Sequence, residues 1–169
     1  FNCVMPEKDI TLTANYSYNY NPSTPDEPNK PSSEQVNIYG MTENGVRGQT
    51  IIYPIYLENT SEVKGMAVDV QFPKGFIAET GSVSLSGRAS GHEMEVKELG
   101  NNNFRFSLLG DEAFTGDNGK IFEVPVSIPD TATMGHNYPV ILTHGVMHGT
   151  DGSQTAISVR NGYIYVEKV

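Results

Sequence analysis

The side chains with the most chemical reach are four histidines, His92, His136, His144 and His148, and a set of clustered carboxylates. His144 and His148 share a face if their strand stays regular, an arrangement that could hold a metal. Gly145 and Gly149 argue for irregular backbone there, and no third ligand has recognisable spacing. Structural or surface roles are therefore expected for the histidines. Asp111, Asp117 and Asn118 form an acidic loop that could hold Ca²⁺, although the spacing fits no EF-hand template. No other cofactor is expected. Cys3 is the single cysteine, so it makes neither an internal disulfide nor a thiolate cluster.

Catalytic signatures are missing from the sequence. It has no Gly-x-Ser-x-Gly elbow, no His-Glu-x-x-His and no phosphate loop. Carboxylates are plentiful, but a glycosidase needs two of them converging across a cleft, and nothing in the spacing argues for that. The expectation is a protein that is not an enzyme.

The elements that must position these groups are strands. From Thr50 to Asn59, Ile51, Tyr53, Ile55 and Leu57 alternate with Ile52, Pro54 and Tyr56. From Gly65 to Phe72, Met66, Val68 and Val70 alternate with Ala67, Asp69 and Gln71. Period-two alternation of β-branched and aromatic residues marks half-buried strands. Further strands are expected at Gln35–Tyr39, Ser82–Ser86, Glu93–Leu99, Asn103–Gly110, Lys120–Ile128, Asn137–His144 and Thr155–Val166. Pro54 and Pro125 cannot donate to a ladder, so each predicts an edge, a bulge or a gap in pairing. Gly100-Asn101-Asn102-Asn103 reads as a hairpin loop. No segment carries a sustained helical period. About nine short strands without helices predict an all-β, two-sheet sandwich or jelly roll.

The chain has 169 residues and a formal charge of −9, which disfavours a nucleic-acid partner. No apolar run is long enough for a membrane-spanning helix. The N-terminus lacks the basic start and apolar core of a signal peptide, so an excised or processed fragment is expected. Residues 1–20 hold one strand-like piece, Asp9–Tyr16, which needs partners to bury its face. Residues 21–33 carry four prolines among polar residues and read as a semi-rigid linker. The main domain is expected over residues 34–169.

Gly48-x-Thr50-Ile51-x-Tyr53-Pro54-Ile55-x-Leu57-x-Asn59, followed by Val63-x-Gly65, resembles the opening of a cohesin domain. Asn118-Gly119-Lys120-Ile121-Phe122-x-Val124-x-Val126 and Val159-Arg160-Asn161-Gly162-Tyr163-Ile164-x-Val166 are similar to two later cohesin strands. The resemblance covers residues 34–169. It implies a nine-stranded jelly-roll sandwich, related in fold to a class of carbohydrate-binding modules, that acts as a receptor for dockerin modules in polysaccharide-degrading assemblies. Similar divergent domains occur in surface and secreted proteins of gut Bacteroidetes. Separately, Met5-Pro6-Glu7-Lys8-Asp9-Ile10-Thr11-Leu12-Thr13-Ala14 resembles the last strand of a Listeria–Bacteroides type repeat, a family of bacterial surface proteins. Both resemblances imply a multidomain protein outside the bacterial cell.

With the cohesin strand order, Tyr39, Tyr56, Tyr163 and Tyr165 would gather on one outer sheet surface, with Ile52 among them. A sugar could stack there, a protein could dock there, or residues 1–20 or a neighbouring module could cover the stripe. The absence of tryptophan weighs against the sugar. On the opposite sheet, the face that dockerins use in the family, Asp69, Gln71, Arg105 and Ser107 would point outward. The expected function is a non-catalytic extracellular module for protein–protein or adhesive contacts. A carbohydrate-binding module and a structural spacer are the alternatives.

Overall fold

The computed structural model describes residues 37–59 and 61–169. Cys3, the strand expected at 9–16 and the proline-rich segment 21–33 lie outside the described residues. Among the described residues, thirteen strands run in order: β1 (Asn37–Tyr39), β2 (Thr42–Gly45), β3 (Thr50–Glu58), β4 (Val63–Gln71), β5 (Ile77–Ala78), β6 (Ser84–Leu85), β7 (Glu93–Gly100), β8 (Asn103–Leu109), β9 (Asn118–Ser127), β10 (His136–Gly149), β11 (Gln154–Ala156), β12 (Ser158–Arg160) and β13 (Gly162–Val166). Two single turns of 3₁₀ helix, Thr80–Ser82 and Gly87–Ala89, flank β6.

The strands form two sheets. The first has the order β12-β1-β3-β9-β5, with β6 also pairing β9; the second has the order β2-β13-β10-β4-β8-β7, with β11 also pairing β10. The expected separation of β3 and β4 into opposite layers is therefore what the molecule shows, and the fold is an all-β sandwich. Alternation explains the core between them. The first sheet contributes Ile38, Ile51, Tyr53, Ile55, Leu57, Phe122, Val124 and Val126, and the second Met66, Val68, Val70, Phe106, Leu108, Val140, Leu142, Ile164 and Val166, all buried. Burying each such large side chain stabilises the fold by about 1.5–3 kcal/mol.

Both strand prolines sit where no ladder bond is needed. On the β1 side of β3 the pairing ends at Tyr39 opposite Tyr56, two residues short of Pro54. Pro125 falls between the two short partners of β9, with the β6 pairing reaching Glu123 and the β5 pairing starting at Val126. The predicted hairpin is present as well. Gly100 pairs with Asn103, and Asn101 and Asn102 both have positive φ, 55° and 61°. Two consecutive left-handed residues match the right-handed twist of the flanking strands.

One expectation is corrected. The segment 155–166 is not a single strand. Its middle piece, β12, pairs with β1 in the first sheet, and its last piece, β13, pairs with β2 in the second; both pairings are parallel. Two chain segments thus change sheets side by side, at Gly40-Met41 and at Asn161-Gly162. The buried Tyr53 hydroxyl fastens this crossing by donating to the Met41 carbonyl at 2.7 Å, and Tyr163 N–H donates to the same oxygen at 3.0 Å. Asn161 accepts from Leu142 N–H at 2.9 Å, tying the crossing to β10.

Candidate functional site

On the outer face of the second sheet a carboxylate is buried where alternation would expose it. Val68 and Val70 point into the core, so Asp69 points out, yet it is only 2% exposed. Arg105 lies directly opposite in the β4–β8 register. Its Nε donates to Asp69 Oδ1 at 2.7 Å and its Nη2 to Oδ2 at 3.0 Å. This is the two-pronged pairing that a planar guanidinium makes with a carboxylate. The hydrogen bond and the charge of Asp69 raise the arginine's pKa above its ordinary value. From the other side, His144 brings Nδ1 to 3.1 Å from Asp69 Oδ2. It gets there because β10 bulges between Thr143 and Val146, with His144 at φ 54°. A bulge re-aims a side chain that a regular strand would place elsewhere.

Around this cluster the face is low in the middle and charged at its rims. Ser107 lies opposite Ala67 and Glu95, and Leu109 lies opposite Gly65 and Glu93. A hollow of about 280 Å³ is bounded by Glu93, Glu95, Ser107 and Leu109. Leu109 is half exposed. Gly65 keeps the centre low, because a Cβ there would stand 2.8 Å from the Leu108 carbonyl oxygen. Lys97, opposite Arg105, puts positive charge at the end away from Glu93 and Glu95. Gln71 donates to the Asn101 carbonyl at 3.1 Å. Asp69, Gln71, Arg105 and Ser107 therefore stand on one outer face.

The four tyrosines do not share one sheet. Tyr39 and Tyr56 stand in the first sheet, with rings stacked at 5.2 Å and 13°. Arg160 lies over Tyr39, 4.7 Å from the ring centre, and Tyr39 donates to Asn118 Oδ1 at 2.8 Å. Burial raises the Tyr39 pKa. Tyr163 and Tyr165 belong to β13 and therefore to the second sheet, where they lie opposite Pro139 and Asn137 of β10. The sheet change at Asn161-Gly162 is the cause. One signal in the sequence announced it: the apolar positions are odd at Ile157 and Val159 and even at Ile164 and Val166. Ile52 does stand on the first sheet, about half exposed.

The four histidines stand in four different settings. His144 is turned to Asp69, whereas His148 lies opposite Gly65. His136 meets the Tyr138 ring edge-on at 4.6 Å. His92 is buried and stacks on Phe114 at 4.4 Å. Among the described residues no three His, Cys, Asp or Glu side chains group closely enough to hold a metal. In the acidic loop, three backbone carbonyls face a guanidinium. Arg88 donates to the carbonyls of Leu57 (2.6 Å), Thr115 (2.6 Å), Gly116 (3.2 Å) and Gly119 (3.0 Å), and to Asn59 Oδ1 (2.7 Å). Burial lowers its pKa, and the neighbouring Asp117 opposes that shift. Arg88 has no sequence signal, since its role depends on long-range contacts, whereas Gly145 did mark irregular backbone beside His144.

No protein-family model matches the sequence, and no curated relative does. Solved structures do match. A non-cellulosomal cohesin from the hyperthermophilic archaeon Archaeoglobus fulgidus superimposes with a TM-score of 0.66 at 16% identity, over 79% of this chain and 92% of that one. The sixth cohesin of Acetivibrio cellulolyticus scaffoldin B, solved in complex with a dockerin, gives 0.69 at 14% identity, over 79% and 99%. A type I cohesin–dockerin complex from Clostridium thermocellum gives 0.65 at 12% identity, over 80% and 95%. Strand order, layer separation and these superpositions agree: the chain has a cohesin-like fold.

Proposed function

We propose that this chain is a non-catalytic module that binds a protein partner through the outer face of β4, β7, β8 and β10. The observation that carries the reading is the Asp69–Arg105–His144 cluster. It fixes a polar anchor beside a low, small-residue floor of Gly65, Ala67 and Ser107. A docking surface needs both features: groups held in place before the partner arrives, and room for the partner's backbone. The rims suit an oriented partner, with Glu93 and Glu95 at one end and Lys97 at the other. The cohesin-like fold supports this reading, since structures of that fold include complexes with dockerins. In the same reading residues 34–169 are the module, 21–33 a spacer and 1–20 the end of an upstream surface repeat. The setting is a multidomain bacterial protein outside the cell, in a polysaccharide-degrading system.

A photo-crosslinking amino acid at Leu109, on the proposed face, should capture a discrete partner from the secreted proteins of the source organism. The same probe at Ile52, on the opposite face, should not. Ser107→Arg, which raises the floor without touching the core, should abolish the capture. Equal capture from Leu109 and Ile52, or capture that ignores Ser107→Arg, would sink the proposal.

A further inference from the structure

At the end of the same sheet, away from Glu93 and Glu95, lies a cleft of about 720 Å³. It forms where β4 runs out into Pro73-Lys74-Gly75, between the β7–β8 hairpin and the start of β10. Phe72, Pro139 and Ile141 give it an apolar floor, and Gln71, Lys74 and Asn101 stand at its polar rim. Its size is that of a small-ligand site. Its walls are held in place. The Asn102 amide donates to the carbonyls of Pro73 and Phe76, both at 2.9 Å, which ties the hairpin to the loop. Tyr138, which also lines the cleft, accepts from Thr133 N–H at 2.7 Å and packs its ring on Phe76 at 4.9 Å.

The lining chemistry is unusual for this chain. The protein carries a formal charge of −9, yet among the described residues no carboxylate lines the cleft, and Lys74 is an exposed ammonium at its edge. Next to it, Tyr163 lies directly opposite Pro139 in the β10–β13 register and is 42% exposed. The cleft therefore continues onto an aromatic platform.

We propose that the cleft and Tyr163 bind an acidic saccharide carrying carboxylate groups. Each feature answers one part of such a ligand. Planar amides at Gln71 and Asn101 match vicinal hydroxyls, with a donor and an acceptor on each side chain. The flat Tyr163 ring and the proline floor match the apolar faces of successive pyranose rings. Lys74 matches a ring carboxylate through a charge-assisted hydrogen bond. A purely apolar ligand would displace water from the rim amides and offer them no hydrogen bond in return. This site adjoins the protein-docking face, with which it shares Gln71, but it does not use the Asp69–Arg105 centre.

The test is titration calorimetry of residues 34–169 within the full chain against tetrasaccharides of galacturonate, mannuronate and guluronate. Neutral cellotetraose and an oligoglutamate peptide serve as comparators. At least one uronate tetramer should bind saturably and more tightly than either comparator. Lys74→Gln should weaken that binding about tenfold, and Tyr163→Ala by a similar factor. Both positions are at the surface, and unchanged thermal melting will show that the variants fold. No saturable uronate binding, binding that both variants leave intact, or tighter binding of oligoglutamate would overturn the assignment.

Discussion

Arg105 closes over the buried carboxylate of Asp69 with two hydrogen bonds, 2.7 and 3.0 Å long, across neighbouring strands. Because Asp69 has almost no contact with water, removing its partner leaves a charge that the solvent cannot fully repair. Arg105→Ala should cost about 1–3 kcal/mol in urea unfolding. The lower half of that range is expected, since the arginine is itself 44% exposed. The double variant Asp69→Ala, Arg105→Ala should recover part of the loss, because neither charge is then stranded. Two neutral single variants would show that the pair contributes nothing to the fold.

Arg88 has a larger structural role than any ion pair on the surface. It joins the end of β3, the 115–119 loop and the start of β9 through five acceptors, four of them backbone carbonyls. Arg88→Ala should cost about 2–4 kcal/mol, the range for breaking a partly buried polar network. Arg88→Lys should recover less than half, because an ammonium cannot span the acceptors that a fork reaches. The same geometry bears on calcium. With the guanidinium in place, millimolar Ca²⁺ should leave the wild-type melting temperature unchanged, and a clear rise would place a cation beside Asp111 or Asp117 after all.

Where the chain obeyed a simple period, the sequence was legible. The alternations in β3 and β4 placed Tyr53 and Val68 inside and Asp69 outside, and the two prolines marked real gaps in pairing. The Asn101-Asn102 turn was legible because few other residues tolerate two successive positive φ values. What escaped was set by tertiary closure. β2, Thr-Glu-Asn-Gly, has no apolar alternation and exists only because β13 offers it a parallel edge. The burial of Asp69 could not be read, because it depends on Arg105 of β8 and His144 of β10, which only the tertiary fold brings to it. The tyrosine stripe failed for the opposite reason: a continuous pattern was read through Asn161-Gly162, where the backbone leaves one sheet for the other.

That crossing makes its own prediction. A Cβ on Gly162 would fall on the Tyr53 hydroxyl and stand 2.6 Å from the Met41 carbonyl oxygen and 2.7 Å from the Gly40 carbonyl carbon. Side-chain movement could relieve the first contact but not the other two, which are backbone. Gly162→Ala should therefore destabilise by more than about 3 kcal/mol, the upper part of the range for point substitutions. Combining it with Tyr53→Phe should restore little. A melting temperature within a few degrees of wild type for Gly162→Ala would mean that the two crossing segments are not packed this closely.

Tyr53 also gives the molecule an alkaline limit. Its hydroxyl is buried against the Met41 carbonyl, and burial, reinforced by the nearby Glu43, raises its pKa well above the ordinary tyrosine value of 10.0. In the unfolded chain the phenol ionises near pH 10, whereas in the folded one it keeps its proton. Above that pH the folded state binds more protons than the unfolded state, so stability falls as pH rises, by at most about 1.4 kcal/mol per pH unit for this group. Tyr39, also raised, adds a contribution of the same sign. The measurement that isolates Tyr53 is therefore the difference between wild type and Tyr53→Phe. At pH 7 the variant should be less stable by about 1 kcal/mol, the worth of one hydrogen bond. Between pH 10 and 11 that difference should shrink toward zero, because the variant has no phenol to ionise. A gap that stays constant across the alkaline range would mean that the hydroxyl is not buried at the sheet crossing.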